Sequence, residues 1–185
     1  MKKILLSLLI LSATCITTTI KAQSTSKIAN KLFYTELGGP GVLFSANFDG
    51  RFDKNKKLGL GYRIGLGFST YEQDISSSSN TNNYYYETET RNYLTLPIGI
   101  NYILGKEGSA NMFEIGAGLT LLSKKVSIYN YENQDEGSNI IGAISFMYRR
   151  QPIDGGFSWR IGFTPIIGTS GNIFPSGAIG IGYNF

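Results

Sequence analysis

Between Leu58 and Tyr71 every second residue is large and apolar: Leu58, Leu60, Tyr62, Ile64, Leu66 and Phe68. The residues between them are Gly59, Gly61, Arg63, Gly65, Gly67 and Ser69. A period of two puts these sets on opposite faces of an extended strand. A sheet of such strands must turn one greasy face to an apolar medium. Its other face has little bulk, and that face must accommodate a guanidinium.

The pattern recurs along the chain. Tyr93 to Leu104 sets Leu94, Leu96, Ile98, Ile100, Tyr102 and Leu104 against Thr95, Gly99 and Asn101. Met112 to Leu122 sets Phe113, Ile115, Ala117, Leu119 and Leu121 against Glu114, Gly116, Gly118 and Thr120. Val42 to Phe52, Asn139 to Arg150, Phe157 to Ile167 and the closing Gly177 to Phe185 follow the same rule, and Lys31 to Leu37 is a shorter candidate. No long helical period interrupts them. Pro97 lacks a ladder donor and is a local penalty, tolerable at a bulge or near a strand end. Connections alternate in length. Asp53–Lys57, Gly105–Asn111 and Gln151–Gly155 are short, whereas Glu72–Arg91, Asn130–Ser138 and Gly168–Pro175 are longer, and the ends of Glu72–Arg91, including Tyr84-Tyr85-Tyr86, are expected to extend the flanking strands. Short turns on one side and longer loops on the other are the asymmetry of outer-membrane barrels.

These observations predict an all-β fold, an eight-stranded antiparallel up-and-down transmembrane β-barrel over residues 31–185. Lipid offers no hydrogen-bond partners, and a closed sheet satisfies its own backbone without an edge. With eight strands the interior is just wide enough for side chains. Inward glycines leave room there for Arg51, Arg63, Arg149 and Arg160 opposite Glu36, Asp49 and Glu114. Buried charges need partners, so these seven are expected to form a polar lumen network that plugs the barrel. Phe52, Tyr102, Tyr148, Phe157, Trp159 and Phe185 lie outward near the short turns, where a membrane-interface belt of aromatics is expected. A soluble, lipocalin-like barrel would invert the pattern. A lumen of Gly and Arg makes a poor apolar cavity, and the apolar set turned to water would aggregate.

Residues 1–22 read as a signal peptide: Lys2 and Lys3, the apolar run Ile4–Leu11, and Ile20-Lys21-Ala22 before Gln23. That run is too short to span a membrane as a helix. Cys15 lacks the small preceding residue of a lipidation site, with Thr14 in its place. Residues 23–30 form a polar N-terminal leader, expected to be a mobile tail. Removing Lys2, Lys3 and Lys21 from the 17 basic residues leaves 14 against 13 acidic ones, a net charge of +1. No basic run marks a nucleic-acid surface. The 185 residues include one cysteine and no histidine. With Cys15 in the signal peptide, disulfides, Cys/His zinc sites and imidazole bases are excluded from the mature chain.

Glu36-Leu37-Gly38-Gly39-Pro40-Gly41 with Leu43-Phe44-Ser45-Ala46-Asn47-Phe48, and Gly155-Gly156-Phe157 with Arg160-Ile161-Gly162-Phe163-Thr164-Pro165, resemble segments of small outer-membrane β-barrel proteins of Bacteroidetes-type bacteria. Cleavage before Gln23 in Lys21-Ala22-Gln23 is similar to signal peptides of that group. The resemblance spans essentially the whole mature chain. It implies a cell-outer-membrane location and brings no catalytic residues with it. Larger groupings of this architecture include adhesion or resistance proteins, lipid A enzymes and accessory barrels of secretion machinery.

The chemistry of catalysis is sparse. Gly59-x-Gly61 and Gly65-x-Gly67 have the wrong spacing for a dinucleotide fingerprint and read as inward small residues. Glu36 and Glu114 are acid/base candidates in type only, without an evident nucleophile–base pair. Asp135-Glu136 lacks the ordered ligands of a calcium loop. No enzyme activity, cofactor or metal is expected. The leading expectation is a monomeric, non-enzymatic barrel with outer-membrane lipid around it and a structural or surface-interaction role. Its Tyr- and Ser-rich Glu72–Arg91 loop is the first candidate for contact with an extracellular or envelope protein partner. An accessory barrel of an envelope or secretion complex is the second reading. A lipid-modifying enzyme is the third, disfavoured by the missing histidine.

Overall fold

The computed structural model describes residues 28–77, 85–126, 137–169 and 171–185. The expected signal peptide, most of the leader, the centre of the 72–91 loop and residues 127–136 lie outside them. The strands are β1 (Lys31–Gly38), β2 (Phe44–Arg51), β3 (Gly59–Ser77), β4 (Tyr85–Gly105), β5 (Asn111–Val126), β6 (Ser138–Arg150) and β7 (Gly156–Phe163). The two-residue strands β8 (Ile166–Ile167) and β9 (Ile173–Phe174) precede β10 (Gly177–Asn184). Each strand pairs antiparallel with its neighbours in the order β5-β4-β3-β2-β1-β10-β7-β6, and β6 returns to β5. The sheet is therefore an eight-stranded closed barrel. Among the described residues no helix is long and apolar enough to cross a membrane.

The two small strands belong to the barrel's own register. Phe146 pairs with Phe163 and Ala143 with Ile166 at one common offset along β6. Likewise Gly177 pairs with Phe163 and Phe174 with Ile166. The strand expected over Phe157–Ile167 thus exists with a gap at Thr164-Pro165, where the proline has no N–H to donate. The segment expected to be a connection from Gly168 to Pro175 is in part strand.

The local penalty expected at Pro97 falls at neither a bulge nor a strand end. The proline sits within β4 and faces Thr120 of β5. On its other side the β3 ladder lapses between Ile64↔Ile98 and Gly67↔Thr95, and resumes without a shift in register. One missing donor costs local pairing but leaves the alternation of faces intact. β1, the shortest candidate in the sequence, is a full member with β2 on one side and β10 on the other. Its Lys31 exchanges backbone hydrogen bonds with Phe185.

One further expectation changes. The leader is not a tail at its end: Ala29 is buried, its N–H donates to Ile153 O and its carbonyl accepts from Gln151 Nε2. The ends of 72–91 extend the flanking strands, as expected. β3 and β4 stay paired from Ser69↔Tyr93 out to Ser77↔Tyr85. The pairing of β2 stops at Phe68 and that of β5 at Thr95. The segment is rich in Tyr and Thr, which favour extended pairing, and it forms a two-stranded ribbon standing beyond its neighbours.

Gly39–Gly41 forms a one-turn 3-10 helix that folds into the barrel instead of out from it. All three of its residues are buried. Thr120 Oγ1 donates to Pro40 O at 2.7 Å and Thr95 Oγ1 to Gly41 O at 3.1 Å. Val42 leaves this turn at φ 73°, a rare backbone region for a β-branched residue. It is held there by packing against Tyr93, Leu122, Val126, Ile141 and Ile166, an apolar cluster inside the longer-loop half of the barrel.

Candidate functional site

The centre of the barrel is charged. Glu36, Asp49, Arg51, Arg63, Glu114, Arg149 and Arg160 are all buried, none more than 5 % exposed. Each occupies an inward position of its strand, and closure brings residues as far apart as Asp49 and Arg149 into contact. Two carboxylates act as hubs. Glu114 accepts from Arg149 Nη1 at 2.8 Å and from Arg160 Nη2 at 3.0 Å, with Arg63 Nη1 farther off at 3.9 Å. Asp49 accepts from Arg51 Nη2 at 2.7 Å and from Arg149 Nη2 at 3.3 Å, and Asn101 Nδ2 completes its shell. Arg51 also donates to Gly59 O and Asn101 Oδ1. Glu36 meets the network at one point, its Oε1 3.2 Å from Arg160 Nε.

Glycine makes the room. A Cβ on Gly61 would stand 2.2 Å from Arg51 Cζ, and one on Gly65 would stand 2.1 Å from Asn47 Oδ1. At these two positions glycine leaves space that a neighbouring polar side chain occupies, whereas at Gly99, Gly118 and Gly162 it lets neighbouring backbone come close. Tyr34 is a member the sequence reading missed. The Arg160 guanidinium lies 4.6 Å from its ring centroid, and Arg63 Nη1 donates to its hydroxyl at 3.4 Å. Its position two residues before Glu36 puts both on the same face, so strand parity alone would have found it.

The outward aromatics are arranged differently. Phe52, Tyr102, Tyr148, Phe157 and Phe185 are exposed on the outer surface near the short turns, while Trp159 is half-buried against Tyr148 at 5.3 Å between ring centroids. The short-turn end also holds a cavity of about 310 Å³, lined by Lys56, Lys57, Lys106, Leu58 and Ile153 among others. Lys57 donates from there to the backbone carbonyl of Gln151. Burial, followed by the Arg149 charge, pushes its ammonium down to about 8, and Asp154 opposes that shift.

Chemically, the interior binds charge to charge. Asp49 and Glu114 accept from two arginines each, and Glu36 touches Arg160, one of the pair on Glu114. No three Asp, Glu, Cys or His side chains among the described residues are placed to hold a metal ion. The arrangement is that of a cross-braced wall in which β1 to β7 are tied to one another through the lumen. No family model, curated protein or solved structure matches the chain.

Proposed function

We propose that the chain is an integral outer-membrane β-barrel with a non-enzymatic, structural or surface-interaction role. Its lumen is closed by the arginine–carboxylate network and the inward Gly39–Gly41 turn. The observation that carries this reading is the outer surface. Leu66, Ile100, Leu119, Phe157 and Ile181 are each more than half exposed, and they belong to a continuous array of outward apolar side chains around the barrel. Soluble monomers rarely expose apolar patches beyond a few hundred Å². A hydrocarbon surround removes that conflict, with the buried charges in the middle and apolar side chains against acyl chains.

The projecting β3–β4 ribbon supports the interaction half of the proposal, because among the described residues both of its edges run on past the neighbouring strands. Deleting residues 76–83 leaves barrel insertion unchanged on this reading. The test of membrane placement is Ile64→Arg. Near the lipid midplane it costs about 2–4 kcal/mol of stability in a bilayer refolding assay. An effect near zero, or a folded monomer in detergent-free buffer, rejects the placement.

A further inference from the structure

The charges inside the barrel do not balance. Among the described residues four buried guanidiniums, those of Arg51, Arg63, Arg149 and Arg160, face three buried carboxylates, those of Glu36, Asp49 and Glu114. An unpaired ion away from water carries a desolvation cost of several kcal/mol. The surplus can be located. Arg51 is matched by Asp49, and Arg149 is shared between Asp49 and Glu114. Arg160 turns Nε toward Glu36 and Nη2 toward Glu114. Arg63 reaches a carboxylate oxygen only at 3.9 Å, too far for a hydrogen bond, and that oxygen already accepts from Arg160.

The unused donors lie in the same place. Arg160 Nη1 is buried without an acceptor. Tyr34 sits between the two cations, its ring under Arg160 and its hydroxyl oxygen accepting from Arg63, which leaves the hydroxyl proton free to donate. Arg149 Nε is also without an acceptor, but that guanidinium is already neutralised through its other two nitrogens. Glu36 is the opposing feature. Neither of its oxygens accepts a hydrogen bond, so its side of Arg160 suits water rather than an anion.

We infer that a small monovalent anion of chloride size binds inside the barrel, between Arg63, Arg160 Nη1 and the Tyr34 hydroxyl. Water could satisfy the same donors but would leave the charge uncompensated. The surplus is a single charge, which a monovalent anion matches and a divalent one would overshoot. The inference rests on the interior packing and not on the membrane placement.

The test is a urea titration of the mature chain in detergent micelles at fixed sodium concentration, with gluconate replaced stepwise by chloride or bromide. A ligand that binds only the folded state raises the folded-to-unfolded ratio close to tenfold per tenfold of anion above half-saturation. Chloride and bromide are expected to do this and gluconate is not. Arg63→Met balances the interior charges and abolishes the response, while Arg63→Lys keeps the charge and retains it. A bromide crystal should show an anomalous peak beside Arg160 Nη1. Superimposed chloride and gluconate curves for the unmodified chain mean water alone fills the site and overturn the inference, as does an undiminished response in Arg63→Met. Should Arg63→Met fail to fold, the titration of the unmodified chain and the bromide peak decide the matter. If the chain folds without detergent, the same titration in buffer reads the anion site separately from the membrane proposal.

Discussion

Replacing Glu114 by Gln removes one charge from the centre of the barrel and leaves the side chain's shape almost unchanged. Glu114 is fully buried, with Arg149 at 2.8 Å, Arg160 at 3.0 Å and Arg63 at 3.9 Å. At an effective dielectric of about 20, unit charges at such distances attract by roughly 4–6 kcal/mol each. Relief of the carboxylate's own desolvation and of its repulsion from Asp49 offsets most of that sum, and the amide oxygen still accepts a hydrogen bond. What remains is the usual cost of breaking a buried pair, about 3–5 kcal/mol. Urea unfolding in micelles, followed through Trp159 fluorescence, should show a lowered midpoint at an unchanged slope. Glu89→Gln is the internal control. Its partner Arg91 is equally close at 2.8 Å, but both side chains are nearly half exposed to solvent that screens the pair, so the midpoint should hardly move. A double-mutant cycle of Glu114→Gln with Arg149→Met should return a coupling of about 0.5–3 kcal/mol. A Glu114→Gln loss as small as the Glu89→Gln loss would mean that water screens the interior, and the cross-braced wall would have to be abandoned.

Three other perturbations separate the remaining elements of the structure. Lys57 loses its proton near pH 8 when folded and at its usual 10.5 when unfolded. The unfolded chain therefore binds more protons between those values, and stability rises with pH across that window. Lys57→Met should remove this increment in midpoints measured from pH 7.5 to 10.5; the increment is modest because the ammonium is only half-buried. Gly182→Ala would place a Cβ 2.2 Å from Phe33 O and 2.5 Å from Tyr34 Cβ, and should cost about 1–3 kcal/mol by denaturation. Gly177→Ala, whose nearest neighbour would be 3.5 Å away, should stay within about 0.5 kcal/mol. Thr120→Val leaves the buried Pro40 carbonyl without its 2.7 Å donor and should lower stability by about 1–3 kcal/mol. No change there would show that the Gly39–Gly41 turn is not held by that hydrogen bond.

Much of the barrel was legible in the residues themselves. Alternation in β3 assigned Ile64 to the outside and Arg63 to the inside because side-chain direction in a strand depends only on parity. The same rule placed Glu114, Arg149 and Arg160 in the interior before any pairing was known. Parity was less informative where both faces are apolar. Tyr93 beside Leu94 and Leu122 beside Leu121 gave no contrast, and the inward apolar cluster around Val42 went unread. Proline effects were legible in kind but not in place. The missing donors of Pro97 and Pro165 interrupt ladders without shifting register, an outcome set by the partner strands.

The inside and outside of the strongly alternating strands and the ends at which turns and loops lie were thus decided by local chemistry, the former acting at a period of two. Apart from Asp49 and Arg51, neighbours on one face of β2, which arginine meets which carboxylate was decided only when β6 closed on β5 and β1 on β10. Such contacts depend on the stagger between strands, and side-chain parity carries no information about stagger. The inward fold of Gly39–Gly41 belongs to the same class. A Gly-Gly-Pro-Gly stretch specifies a tight turn, but its direction was fixed by Thr95 and Thr120 on two other strands, whose hydroxyls reach the turn's carbonyls only inside the closed wall.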